Sequence, residues 1–265
     1  MKTRDGLFRL QYLQRLGIDV WVRRQGGAAE QAPVENTTGR ASIERLVQPG
    51  VVVEDTADTN PARLITAEAE IARLDWEALR ERVQHCERCL LHQTRMQGVF
   101  GIGNPQAQLM LIGEAPGAEE DRRGEPFVGR AGKLLDEMLR AIGLSRERVY
   151  ITNVLKSRPP NNRDPTPDEV AACEPYLRRQ LELIAPSLIL ALGRIAAQYL
   201  LKSTQSLGRL RGAWHHYGPR ATPLRVTYHP AYLLRSPADK HKAWQDLKQV
   251  RQCLRHASPS TGVVP

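Results

Sequence analysis

Between residues 107 and 254 the chain alternates short apolar runs with longer stretches in which apolar side chains return every three or four positions. The runs Gln108–Gly113, Val149–Leu155, Ser187–Gly193 and Leu224–Tyr228 have the length and aliphatic content of buried strands. Between them, Gly132–Ile142, Thr166–Ile184 and Arg194–Leu201 show helical period with charged outer faces, and Asp239–Leu254 closes the series in the same way. Strand and helix in alternation predict parallel strands joined by right-handed crossovers. The fold class is therefore α/β, a three-layer α/β/α sandwich around a four-stranded parallel sheet. Ligands of such sheets bind beyond the carboxyl ends of the strands. Each run here ends in unusual residues: Gly-Glu-Ala-Pro-Gly at 113–117, Asn153 with Lys156, Gly193, and His229-Pro230.

The N-terminal quarter reads differently. Leu7, Leu10, Leu13 and Leu16 mark a short amphipathic helix within residues 1–25, a possible docking surface for a protein partner. Residues 26–70 lose periodicity and carry eight acids against three arginines, a net −5, the composition of a flexible acidic linker. Residues 71–256 are expected to form the folded domain, and 257–265 a disordered tail. The whole chain has 38 Lys+Arg against 29 Asp+Glu, a formal +9, so the chain outside the linker carries about +14. Much of this excess lies in residues 191–256, where twelve Lys/Arg face only Asp239 and Asp246. Such an imbalance favours phosphate contacts and predicts binding that weakens steeply with salt. No run is long and apolar enough for a membrane helix, and Met1–Arg9 lacks the apolar core of a signal peptide, so a cytoplasmic monomer without membrane contact is expected.

Residues 113–132 hold five glycines and two prolines, more than a turn requires, and lack both the P-loop and the G-x-G-x-x-G pattern. Phe127 within this segment is either a core anchor or a platform for a flat ring. Asn153 is either a turn former or, at a strand end, an amide offering donor and acceptor side by side to a heterocycle. His229 opens His-Pro-Ala-Tyr-Leu-Leu-Arg (229–235), in which Leu233 and Leu234 beside Arg235 suit an apolar wedge in a polar loop.

Together these pieces resemble the type-4 (family 4) uracil-DNA glycosylases of the uracil-DNA glycosylase superfamily. The resemblance runs from about Leu79 to Leu254, through C-x-x-C-x-L (86–91), GEAPG-x-x-E-D (113–121), GEPFVGRAGKLL (124–135), YITNVLKSRPPNNRDPTPDEVAAC (150–173) and HPAYLLR (229–235). It implies hydrolysis of the N-glycosidic bond of deoxyuridine in DNA, with uracil-containing DNA as partner and an abasic site as product. By that resemblance Phe127 stacks on the flipped base, Asn153 reads its polar edge, and His229 bonds a uracil carbonyl, with Gly113 and Ala115 lining the pocket. Leu233, Leu234 and Arg235 would meet the DNA. Ala115 stands where the best-known uracil glycosylases carry a water-activating Asp, which leaves Glu114, and after it Glu120 or Asp121, as candidates for a base. A catalytically weak or inactive DNA-binding module of the same fold is the alternative. The covalent uracil-binding branch is set aside, because residues 158–172 lack an inserted basic loop ending in His.

The resemblance also implies a [4Fe–4S] cluster held by four cysteines. Cys86, Cys89 and Cys173 match three ligand positions, but Ser157 stands at the fourth, and serine is a poor ligand for a soft site. The alternatives are a cluster with three thiolates and a substitute ligand, a zinc site completed by His85 or His92, and an empty site. The retained cluster is favoured. Cys253, in the last helical stretch, reads as a core residue.

Overall fold

A computed structural model describes residues 68–257. The N-terminal helix, nearly all of the acidic linker and the C-terminal tail lie outside the described residues. Within them, residues 68–71 already form a helical turn, and Ile71 is fully buried.

Six strands form one mixed sheet: β1 (Ile102–Gly103), β2 (Leu109–Gly113), β3 (Tyr150–Asn153), β4 (Leu188–Leu192), β5 (Trp214–Tyr217) and β6 (Thr222–Thr227), in the order β1-β3-β2-β4-β6-β5. The four predicted strands are the central parallel ones, β3-β2-β4-β6. The four-strand expectation is corrected by two short antiparallel edges, β1 on β3 and β5 on β6. Neither edge has an apolar run that could have announced it: β1 is two residues long, and β5 reads Trp-His-His-Tyr.

The helices are α1 (Trp76–Gln84), α2 (Ala118–Arg123), α3 (Arg130–Ala141), α4 (Pro167–Ile184), α5 (Arg194–Leu200), α6 (Leu207–Leu210), α7 (Pro230–Arg235) and α8 (Lys240–Ala257). Period-two alternation in the strands produces the layers. Met110, Ile112, Ile189 and Ala191 meet Leu177 and Leu181 of α4 and Ala196, Ala197 and Leu200 of α5. Leu109, Leu111, Ile151, Leu188 and Leu190 point the other way, onto Leu135 and Leu139 of α3, Leu233 of α7 and Leu247 and Val250 of α8. Each such leucine contributes about 1.5–3 kcal/mol on burial, so both helical layers are anchored. Helix α4 begins with Pro167 at its first turn and a capping box in which Thr166 and Glu169 satisfy each other's backbone amides. This layering brings the ends of β2, β3, β4 and β6 to one rim.

Candidate functional site

The glycine-rich segment after β2 is not a single loop. It holds the short helix α2 and then feeds α3, with residues 124–129 forming a tight strap between them. Phe127 in that strap is 5% exposed and has φ +56°, a left-handed conformation that costs a bulky residue of order 1–3 kcal/mol. Two side chains hold it there. Glu120 Oε1 accepts from the amides of Val128 and Gly129, both at 3.0 Å. Arg146, just before β3, donates to the Phe127 carbonyl at 2.9 Å and the Pro126 carbonyl at 2.7 Å, and is itself anchored to Asp136 at 2.9 Å. The strap is thus tied from both sides by charge-assisted hydrogen bonds. Arg146→Ala should lower stability by about 1–3 kcal/mol, since two carbonyls lose a charged donor; a denaturant series reads the loss.

Asn153 ends β3 directly opposite Gly113 at the end of β2. Its side-chain Oδ1 is buried and has no hydrogen-bond partner among the described residues. A buried acceptor without a donor is costly, about 1–3 kcal/mol, and marks a place where a ligand donor fits. Gly113 explains how this oxygen and the aromatic ring share one space: a Cβ there would lie 2.4 Å from Asn153 Oδ1 and 2.6 Å from Phe127 Cζ. A hydrogen in place of a side chain is what lets amide and ring both approach this strand end.

His229 lies two residues past β6, as the N-cap of α7. Its Nδ1 accepts from the Ala231 amide at 3.2 Å, so in the neutral ring the proton sits on Nε2. Burial, reinforced by the Arg235 cation and opposed by Glu120, pulls its pKa down to about 4. The imidazole is therefore a neutral Nε2–H donor at physiological pH. Its ring lies 5.4 Å from that of Phe127, centroid to centroid. Beneath it Gly193, at φ +95°, leaves the room that a side chain would take, since a Cβ there would lie 2.9 Å from His229 Cβ. Phe127, Asn153 and His229, widely separated in sequence, thus gather at one rim of the sheet.

Of the three candidate carboxylates, two have structural duties. Glu120 holds the Phe127 strap, and Asp121, 2% exposed, accepts from the Met96 amide at 2.9 Å. Glu114 has no such amide partner. Burial, and secondarily the Asp164 carboxylate, raise its pKa to about 7 against the opposing pull of Arg194. Asp164 and Arg194 form an ion pair at 2.6 Å, so the carboxyl stands beside a fixed pair at the strand ends. Ala115 turns its methyl group to the apolar cluster of Leu91, Leu155 and Cys173.

Two expectations about DNA contact are corrected. Residues 230–235 are helical, not a loop, because His229 caps them and Pro230 supplies a preset first turn. Successive residues of a helix point about 100° apart, and here the two leucines part: Leu233 is a core residue at 1% exposure, whereas Leu234 is 37% exposed beside exposed Arg235. The basic excess is also less focused than its sequence position suggests. Arg225 is buried and pairs with buried Asp246, which also takes Arg211. Arg251 and Arg255 line an open cavity of about 660 Å³ at the opposite end of the sheet, with Gln108, Leu109 and Val149.

The cysteines gather from three segments. Cys86 and Cys89 flank the loop after α1, and Cys173 lies on α4, its sulfur 3.5 Å from the Lys156 amide. Burial first, then the neighbouring thiols Cys89 and Cys86, push the Cys173 thiol up to about 12. The Cys89 thiol is raised for the same two reasons. Beside them Arg88 Nε and Nη1 are buried donors without acceptors among the described residues, and the hydroxyl of Tyr176, one turn after Cys173, interacts with Cys86. Crowded thiols with orphaned donors fit an anionic, sulfur-rich group. Among the described residues no three His, Cys, Asp or Glu side chains converge on a point suited to one metal ion. His85 and His92 donate Nδ1–H to the carbonyls of Glu81 and Cys89, an arrangement that leaves each Nε2 lone pair free. Ser157 is buried at 3% exposure, and its hydroxyl accepts from Arg95 Nη1 at 2.6 Å. Arg95 Nη2 also reaches the carbonyls of Gln84 and Cys86, at 2.9 and 2.8 Å.

Arg146 and Arg95 went unforeseen as site-building residues, and Lys156 was noted only as an unusual residue at the end of its run. Lys156, 1% exposed, donates at 2.7 Å to each of Thr152 Oγ1, the Asn153 carbonyl and Gln180 Oε1, fixing the end of β3. Its only signal in sequence is a charge placed directly after an apolar run; the two arginines have none.

A sequence model of the Uracil DNA glycosylase superfamily matches residues 100–248. The chain is 45% identical over 185 residues to a type-4 uracil-DNA glycosylase of Archaeoglobus fulgidus, covering 67% of this chain and 92% of that protein. It is 46% identical over 184 residues to a type-4 uracil-DNA glycosylase of Thermotoga maritima, covering 68% of this chain and 94% of the relative. A type-5 uracil-DNA glycosylase of Thermus thermophilus is more distant, 35% identical over 149 residues, with 49% of this chain and 68% of that protein covered.

Proposed function

The chain belongs to the type-4 uracil-DNA glycosylases of the uracil-DNA glycosylase superfamily, and on that premise we propose that it excises uracil from DNA with Phe127, Asn153, His229 and Glu114 as its working groups. The observation that carries this reading is the buried, unpartnered Asn153 Oδ1 set across Gly113 from the Phe127 ring. A flipped uracil offers what such a pocket lacks: a flat face for the ring, and an N–H beside a carbonyl for the amide.

The chemistry follows from charge. The bond from C1′ of the sugar to N1 of uracil breaks, and its electron pair leaves with the base while positive charge grows on the sugar. His229 Nε2–H, neutral and held in place from behind, donates to the uracil oxygen on which the negative charge collects. A donor aimed at developing charge is worth about 3–4 kcal/mol, and a neutral imidazole serves without an imidazolium's desolvation cost. Water then bonds to C1′, giving up its proton to Glu114, and an abasic site remains. Leu234 and Arg235 contact the distorted duplex.

Three thiolates, Cys86, Cys89 and Cys173, would hold the [4Fe–4S] cluster characteristic of type-4 relatives. When bound, it ties the loop after α1 to α4 beside the end of β3, a structural service to the rim that holds Asn153. The unpaired donors of Arg88 support an anionic occupant.

Release of free uracil from a uracil-containing oligonucleotide tests the function. Its absence across a salt series, with DNA binding intact, would favour a binding module instead. The pH profile tests the base. Glu114 must be ionised to accept the water proton, so kcat/KM should rise with pH through about 7 and then level off. Glu114→Gln should remove that inflection and lower the plateau about 100-fold; an unchanged profile would dismiss Glu114.

A further inference from the structure

We propose that the iron–sulfur site of this chain has one corner without a protein ligand, so that one iron of the cluster is exchangeable. The inference rests on the cluster reading above and goes beyond it. Three corners have thiols, buried at Cys86 and Cys173 and half-buried at Cys89, close enough that neighbouring thiols add to burial in raising the pKa of Cys173 and Cys89. At the fourth, Ser157 is already engaged: its hydroxyl accepts a 2.6 Å hydrogen bond from Arg95, and Arg95 is held by the Gln84 and Cys86 carbonyls. The guanidinium thereby joins the C-x-x-C loop to the segment after β3, a connection that a fourth thiolate would otherwise make through the cluster. A buried hydroxyl oriented by a permanent cation does the work of a strut. Serine is in any case a far weaker iron ligand than a thiolate.

The consequence is a defined redox reaction. A one-electron oxidant such as ferricyanide takes one electron from the [4Fe–4S]2+ state. The iron lacking a thiolate leaves as Fe2+, and [3Fe–4S]+ remains on Cys86, Cys89 and Cys173 while ferricyanide becomes ferrocyanide. Fe2+ with a reductant reverses the change. Cys253 is not available as a fourth ligand, since it packs on the opposite face of the sheet with α8.

The test uses full-length protein purified without oxygen, comparing wild type with Ser157→Cys and Ser157→Ala. Iron content, visible absorption and EPR are followed as ferricyanide is added. Wild type and Ser157→Ala should lose about one iron in four and develop the EPR signal of a three-iron cluster, recovering with Fe2+ and dithionite. Ser157→Cys should keep its iron under the same oxidant, converting at least tenfold more slowly. Equal resistance of wild type and Ser157→Cys, or loss in Ser157→Ala but not in wild type, would overturn the inference and leave the cluster standing. Colourless protein that binds no iron even after reconstitution would overturn the cluster reading itself, whatever the outcome of the uracil assay.

Discussion

Replacing His229 by alanine should slow single-turnover uracil release by about 10²–10³-fold while leaving affinity for uracil-containing DNA within a few-fold of wild type. The magnitude is that of removing one preorganised donor to an oxyanion. The asymmetry between rate and binding follows from the aim of Nε2–H, which faces charge that exists only as the glycosidic bond breaks. His229 also caps α7, so loss of activity could follow from a loosened helix. His229→Ser separates the two effects, because a serine hydroxyl caps a helix well but cannot reach as an imidazole does. Both variants should be slow, and the serine variant should melt near wild type. A loss smaller than tenfold in both would remove His229 from the chemistry. In the pH profile of Glu114→Gln, from which the carboxylate inflection is gone, the histidine should produce none near its ordinary value of 6.5, since burial holds its pKa at about 4 and it stays neutral above pH 5.

Asn153→Asp should be at least as damaging, about 10³-fold at pH 8. The two side chains have the same shape, so packing is conserved and only the charge and the donor change. A buried carboxylate would face both the uracil carbonyl and the negative charge on the departing base, where the amide offers a hydrogen bond. The sign of the pH effect is specific. Burial raises the pKa of a carboxyl at this position, and once protonated the side chain regains an O–H donor. The ratio of variant to wild-type rate, taken at the same pH, should therefore climb as pH falls. A constant ratio would mean that charge at position 153 does not matter to the reaction. A variant that fails to melt cooperatively would point instead to the network of Lys156, Thr152 and Gln180 behind the strand end.

Much of this architecture was legible along the chain, for a physical reason. Strands buried on both faces must be continuously apolar, and helices with one face on the sheet must repeat every three or four residues, so the central strands and main helices are visible locally. The edges β1 and β5 are not, because each needs a partner on only one side and carries no apolar run. Residues 230–235 show the limit of a pattern reading. Their composition suggested a loop with two exposed leucines, but a histidine cap and a proline first turn make a helix, and helical rotation sends Leu233 inward.

The sequence by itself determined the α/β layering, the family, and the identities of Phe127, Asn153 and His229, because strand burial and motif spacing are properties of short segments. It also showed that the fourth cysteine is a serine. Only the tertiary structure decided what these residues can do. The strained Phe127 backbone depends on Glu120 and on Arg146, 19 positions away; the pKa of His229 depends on desolvation and on the charges of Arg235 and Glu120; and Ser157 is held by Arg95, 62 positions away. Hydrogen bonds and desolvation act through space, and distance along the chain carries almost no information about them.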